Sequence, residues 1–392
     1  MTKIIDPIDF TAALIRCPSV TPADKGALDV LQNALEGMGF ACTRYPFGKA
    51  GDEGERVDNL YARLGTDAPN FCYAGHTDVV PVGDAEAWDV GPFSGDIKDG
   101  MIWGRGTADM KGGIAAFVAA VSNFLASGAK PKGSISFLIT GDEEGPAING
   151  TEKLLQAITE AGEVIDHCLV GEPTNPTALG QQIKNGRRGS LNAKITVTGR
   201  EGHVAYPHLA SNPVPALLEL LGAVTARKLD DGNSGFQPSN LEVTSIDVGN
   251  APHNVIPKIA KAQFNIRFNT EHRGDDLKAW IMEEVAKVAA DFDGDIDAML
   301  RVTGEAFLTQ PSGFTDVLQD GVKAVLGEPA ALSTAGGTSD ARYITNYAPV
   351  AEFGLIGATM HKVNERVAVS DIEKLTEIYG EMIKRYFEKF GK

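Results

Sequence analysis

Cysteine is scarce. The 392 residues hold four, Cys17, Cys42, Cys72 and Cys168, and no CxxC pair. That spacing implies neither a disulfide framework nor a cysteine metal site, and it fits a reducing, cytoplasmic compartment. Cys72 and Cys168 lie inside apolar runs, where a buried free thiol is the ordinary expectation. No apolar run approaches the ~20 residues needed to cross a bilayer, and MTKIIDPIDF lacks the basic and apolar segments of a secretory signal. Positive charge is in deficit too: 36 Lys and Arg face 52 Asp and Glu, a net charge of −16. Such a surface repels nucleic acid and anionic membrane, so neither is an expected partner, and an anionic substrate needs a local arginine or lysine clamp. Repeats and low-complexity linkers are also missing. Hydrophobic and charged contents of 43% and 22% are those of an ordinary globular chain, and the length predicts two domains.

The first half alternates strand-like and helix-like segments. Asn70 to Val82, Ser134 to Thr140 and His167 to Val170 are apolar runs rich in β-formers, as suits a sheet covered on both faces. Between them Met110, Ile114, Phe117, Val118, Val121, Phe124 and Leu125 fall on one helical stripe, closed by Gly128. This pattern predicts an α/β core. From about Gly189 the texture changes. Leu191, Ala193, Ile195 and Val197 alternate with polar residues, a half-buried strand. A helix near 215–229, strands near 241–248 and 262–269, a helix through Leu277, Trp280, Ile281, Val285 and Val288, and a strand near 296–302 follow. The order β-α-β-β-α-β is ferredoxin-like. The expected domains are 1–184 with 304–392, and an insert over 185–303.

Five short segments place polar, metal-capable side chains after a strand or in a glycine-rich turn: GHTD at 75–78, GTADMKGG at 106–113, GDEEG at 141–145, GEPT at 171–174 and MHKVNE at 360–365. In open α/β sheets such loops converge outside the carboxyl ends of the strands. Two histidines and several carboxylates without thiolates suit zinc, manganese or cobalt in a catalytic site. Two such ions ~3.5–4 Å apart can activate a water and polarise a carbonyl together. Asp78, two residues after His76, is placed to accept the second ring proton and fix the tautomer. Of the adjacent pair Glu143 and Glu144, one can bind metal while the other serves as general base. Taken singly, His76 would be a core histidine, Asp109 an N-cap and Glu143–Glu144 a solvated pair. Their joint occurrence is the signal.

In order along the chain, GHTDVVPVG, GRGTADMKGG, GDEEG, GEPT and MHKVNE resemble the two-zinc aminoacylase and glutamate-carboxypeptidase family. The resemblance implies a zinc-exopeptidase-like α/β catalytic domain, with a central mixed sheet flanked by helices, and an inserted ferredoxin-like α+β lid and dimerisation domain. It implies two zinc ions per subunit, replaceable by cobalt or manganese: His76 and Glu172 on one, Glu144 and His361 on the other, Asp109 bridging. Glu143 is then the general base, Asp78 orients His76, and a cis peptide follows Asp109. KNGRRGS, GREGHVAYPHLASNPVPAL, NVIP, FNIRFN and GGTSDAR resemble the branch that hydrolyses N-succinyl-LL-2,6-diaminopimelate. That resemblance implies a homodimer in which His203 reaches the partner's site to stabilise the oxyanion, with Asn254 as a second cross-subunit contact. Arg187, Arg188 and Arg267 are the candidate clamp for the anionic substrate, with Ser190, Tyr206 and Thr338 as further contacts. One departure is Gly357, where close relatives often carry Asn four residues before the zinc histidine. The alternatives within the family are an acetylornithine deacetylase or a general N-acyl-amino-acid amidohydrolase. From another class comes a binding protein with a dead site, whose signature would be a missing ligand or base.

Overall fold

A computed structural model describes residues 3–49 and 55–392. The chain divides into two compact units, Met1–Asn185 with Thr309–Ser333 and Ser339–Lys392, and Gly186–Leu308 with Thr334–Thr338. The return crossing falls at 308/309 because Phe307 and Leu308 pair with Arg187 and Gly186 in a short antiparallel ribbon. The segment 334–338 joins the second unit, with Thr334 donating to Gly235 O at 2.6 Å and Arg187 to Gly337 O at 3.0 Å.

In chain order the first unit supplies α1 (Pro7–Ile15), β1 (Ala41–Arg44), β2 (Leu60–Leu64), β3 (Asn70–His76), α2 (Gly112–Ala126), β4 (Ser134–Thr140), β5 (His167–Val170) and β6 (Gln182–Lys184). The second unit contains β7 (Gly189–Thr198), α3 (Pro213–Ala226), β8 (Asn240–Asp247), β9 (Ile259–Phe268), α4 (Gly274–Ala290) and β10 (Asp295–Gly304). The chain then returns through α5 (Gly313–Leu326), β11 (Ala331–Ser333), β12 (Val350–Glu352) and α6 (Val369–Phe390).

In the first unit the strands form a mixed eight-stranded sheet, ordered β1-β2-β4-β3-β5-β12-β6-β11. β3, β4, β5 and β12 are parallel neighbours at its centre. They are buried on both faces, which explains their unbroken apolar runs. Helix α2 starts at Gly112, not at Met110. Asp109 and Met110 have non-helical backbone, so Met110 leaves the expected stripe yet stays buried. From Gly112 to Ser122 the helix is buried all round, because α6 packs on it and Ala115, Ala116, Ala119 and Ala120 occupy little space. Gly113 permits one close approach: a Cβ there would stand 2.8 Å from Gly171 O.

The second unit is a four-stranded antiparallel sheet, ordered β8-β9-β7-β10, the ferredoxin-like arrangement. Leu191, Ala193, Ile195 and Val197 point into its core with Phe264, Ile266 and Phe268, while Asn192 and Lys194 are exposed. Helices α3 and α4 close that core. Among the described residues no helix is long and apolar enough to cross a membrane.

Candidate metal centre

The sheet delivers the first donors. β3 lies between β4 and β5, with His76 opposite Thr140 and Ala74 opposite Val170. Two residues further, the same parallel register sets His76 beside Glu172, and His76 Nε2 stands 3.7 Å from Glu172 Oε1. The loop after β4 carries Glu143 and Glu144. Asp109 comes from the turn before α2, and its peptide to Met110 is cis. His361 comes from a loop before α6, in left-handed backbone with φ of 60°, a conformation costly for a residue with a side chain.

Asp109 is the hub. Its Oδ1 lies 3.1 Å from His76 Nε2 and its Oδ2 3.1 Å from His361 Nε2, which is also 2.8 Å from Glu144 Oε1. No N-cap hydrogen bond forms from the Asp109 side chain; its two oxygens face two imidazoles instead. His76 Nδ1 is 2.9 Å from the main-chain oxygen of Asp78 and 3.7 Å from the carboxylate. The main-chain oxygen is thus the closer acceptor for Nδ1, and it leaves Nε2 turned towards Asp109. The Asp78 carboxylate instead accepts from the amides of Glu143 and Glu144, at 3.3 and 3.0 Å. It therefore also sets the glutamate pair.

Five carboxylates, Asp78, Asp109, Glu143, Glu144 and Glu172, surround two imidazoles, an excess of buried negative charge that needs cations. The electrostatics say the same. Burial pushes Asp78 up to about 6. Desolvation, then the charges of Asp340, Glu144 and Asp109, hold Glu143 well above the usual carboxylate range against the pull of His76. Glu172 is raised by burial and then by Asp109. Burial opposes protonation of His76, but the Asp109 hydrogen bond and the charges of Asp109, Glu172 and Asp78 outweigh it and raise the imidazole well above its ordinary value. Hydrogen bonds to Asp109 and Glu144 raise His361 to about 10. Burial works to raise Asp109, yet the two histidines hold it below the carboxylate range. These opposed shifts mark a cluster whose charge balance cations would complete. Among the described residues, two groups have ligand atoms within 4.8 Å of one another: His76, Asp109 and Glu144, and His76, Glu143 and Glu172. The donor set, two nitrogens and several oxygens without sulfur, suits zinc, cobalt or manganese.

The remaining predicted residues all lie in the second unit, in three places. His203 pairs with Val255 in a two-stranded ribbon, Val204 N donates to Asn254 O at 3.1 Å, and the Tyr206 ring is 5.7 Å from that of His203. His203, Tyr206 and Asn254 are exposed together. Ser190 and Arg267 are register partners, and Arg188 donates to Asn240 at 2.9 Å. Arg188 Nε and Arg267 Nη1 are buried without a hydrogen-bond partner. Burial and then the nearby Arg267 charge lower the Arg188 pKa. Arg187 lies by Gly337, next to half-buried Thr338.

Sequence reasoning missed several supports. Asp142 accepts from the amides of Ala147, Ile148 and Asn149 at 3.2, 2.9 and 2.9 Å, shaping the loop that follows Glu144. Buried Lys111 donates to the carbonyls of Leu14 and Cys17 at 3.0 and 2.8 Å, tying the end of α1 to the Asp109 turn. Buried Asp340 accepts from Thr151 Oγ1 at 2.6 Å. Asp142, Lys111 and Asp340 lie inside motifs quoted above, so their signal was present; the groups they bind lie outside those motifs.

A family model described as Peptidase family M20/M25/M40 matches residues 72–385. The chain is 64% identical over 387 residues to the succinyl-diaminopimelate desuccinylase of Maricaulis maris, covering 99% of this chain and 97% of that one. It is 58% identical to the enzyme of the same name from Caulobacter vibrioides, with the same coverage. Among solved structures, an M20 family metallo-carboxypeptidase from Sulfolobus solfataricus has a TM-score of 0.78 at 17% identity, covering 97% of this chain and 99% of that one. A dinuclear metal binding peptidase of the M20 family from Bacillus subtilis has a TM-score of 0.67 at 15% identity, covering 96% of each chain. At such identities these structures speak for the fold alone.

Proposed function

The chain belongs to Peptidase family M20/M25/M40, and on that footing we propose that it hydrolyses N-succinyl-LL-2,6-diaminopimelate to succinate and LL-2,6-diaminopimelate, a step in lysine and peptidoglycan precursor synthesis. The observation that carries the hydrolytic reading is Asp109, whose two oxygens face His76 and His361 with Glu172 and Glu144 beside them. Identity of 64% over nearly the full length with a desuccinylase supports the substrate.

In this reading His76 and Glu172 would hold one divalent ion and Glu144 and His361 the other, with Asp109 serving both. Zinc is the proposed metal, with cobalt or manganese as substitutes. Such a pair supplies an activated water and a polarised amide carbonyl. The protein's own work is proton transfer and positioning. The Glu143 carboxylate, raised in pKa by its desolvated, carboxylate-rich surroundings, takes a proton from the attacking water and delivers it to the departing nitrogen. Asp78 holds that glutamate's main chain. Arg188 and Arg267 supply the unpaired donors for a substrate carboxylate, with Arg187, Ser190 and Thr338 as adjoining contacts.

The inserted unit acts as lid and dimerisation domain, in a cytoplasmic homodimer. Exposed Ile246 on edge strand β8 and Leu218 on α3 support docking of a second copy. Through it His203 serves the partner's oxyanion, Asn254 makes a second cross-subunit polar contact, and Tyr206 beside them is a substrate contact. Four free cysteines suit a reducing compartment.

The test is hydrolysis of N-succinyl-LL-2,6-diaminopimelate by the metal-loaded protein, with N-acetylornithine in parallel. Preference for the succinyl substrate is expected; preference for acetylornithine would overturn the substrate and keep the chemistry. Arg267→Met should raise KM about 10-fold or more with kcat nearly unchanged, since a charged hydrogen bond contributes about 1.5–3 kcal/mol. A KM within twofold of the parent would remove Arg267 from the clamp.

A further inference from the structure

We propose that Glu365 and Arg105 form a buried brace that sets Asp109 and His361 at their working separation, and so act as positioning residues for the metal centre. The inference rests on the two-metal reading above. Glu365 is completely buried and Arg105 is 2% exposed. One carboxylate oxygen of Glu365, Oε1, accepts from the amides of Ala108 and Asp109 at 2.9 and 3.2 Å. The other, Oε2, receives Arg105 Nη1 at 2.7 Å. That same Nη1 donates to the carbonyl of Lys362 at 3.0 Å, one residue beyond His361, and Nη2 donates to Pro81 O at 3.2 Å. The main chain closes the frame, with Gly104 N donating to Glu365 O at 2.9 Å. A single side chain therefore grips the peptide that carries Asp109 and, through one guanidinium, the loop that carries His361.

That loop needs a brace. His361 is 46% exposed at its side chain, and His361 and Asn364 both hold left-handed backbone, with φ of 60° and 65°. Such backbone persists only where its surroundings over-determine it. Asn364 is pinned by reciprocal bonds with Asp89, at 2.8 and 2.9 Å, and Arg105 stacks on Trp88 at 5.3 Å. Those contacts shape the loop; the link from it to Asp109 runs through Glu365 and Arg105.

The experiment compares the parent, Glu365→Gln, and the double variant Arg105→Met with Glu365→Gln, which removes both buried charges and leaves neither unpaired. Each metal-free protein is titrated calorimetrically with Zn²⁺, its Co²⁺ d–d spectrum recorded, and its thermal midpoint and kinetics measured. Both variants are expected to bind the ion on the His361 side 10–100-fold more weakly, to show an altered Co²⁺ spectrum, and to lose kcat with KM unchanged. The double variant's metal-free midpoint should stay near that of the parent. Two ions at parental affinity with an unchanged Co²⁺ spectrum in both variants would overturn the brace alone. A parent that binds fewer than two ions would overturn the two-metal reading, and the brace with it.

Discussion

Glu143→Gln should leave two-ion binding intact and cut kcat by about 10²–10⁴-fold, the range contributed by general acid–base catalysis. Glutamine keeps the shape and the main-chain bond to Asp78 but cannot take a proton. The test is sharp because Glu143 also lies within ligand distance of His76 and Glu172, so it could serve as a metal ligand in place of a base. Calorimetric stoichiometry separates the roles. Two ions with lost turnover is the result for a base. Loss of one ion would move Glu143 into the coordination sphere and leave the proton without a carrier.

Asp109→Ala should have the larger effect on the centre itself. Asp109 is the residue whose two oxygens both face imidazoles, at 3.1 Å each, so its removal should disable both ion sites together. We expect Zn²⁺ affinity to fall by more than the ~10–100-fold seen when outer-shell partners are changed, and turnover to fall with it. His76 and His361 should also become easier to deprotonate, since Asp109 hydrogen bonds help raise both; NMR titration of the metal-free variant would report this. If one ion still bound at parental affinity, Asp109 would serve a single site and the bridging reading would fail.

Much of the fold was legible because burial leaves a period in the sequence. The alternation through Leu191, Ala193, Ile195 and Val197 marked β7, and the ferredoxin-like order of the insert came out as read. The apolar run from Asn70 ended as strand at His76, because the His-Thr-Asp segment after it turns its main chain to Thr140, Ser19 and the histidine ring. Helix α2 misled in one respect. Its stripe predicted one buried face, whereas α6 covers the other, and alanine carries no periodic sign of that. The start of that helix was misplaced for a related reason: Met110 fits the stripe by count, but the backbone at 109–110 is non-helical and turns the Asp109 carboxylate to the two imidazoles.

By itself the sequence determined which chemistry was available: a thiol-free donor set of two histidines and clustered carboxylates, in strand-end motifs, and an α/β frame with an inserted sheet. Side-chain type and local period are properties of neighbours along the chain, so they can be read there. Which groups meet was decided only in three dimensions. Asp109 reaches His361 across 252 positions of chain, Glu365 grips the Asp109 peptide from 256 positions away, and Asp78 turns its carboxylate to the Glu143–Glu144 amides while its carbonyl takes His76. Those pairings follow from the parallel register of β3, β4 and β5 and from two left-handed residues in the last loop. Both depend on packing between segments distant in sequence, which no local pattern encodes.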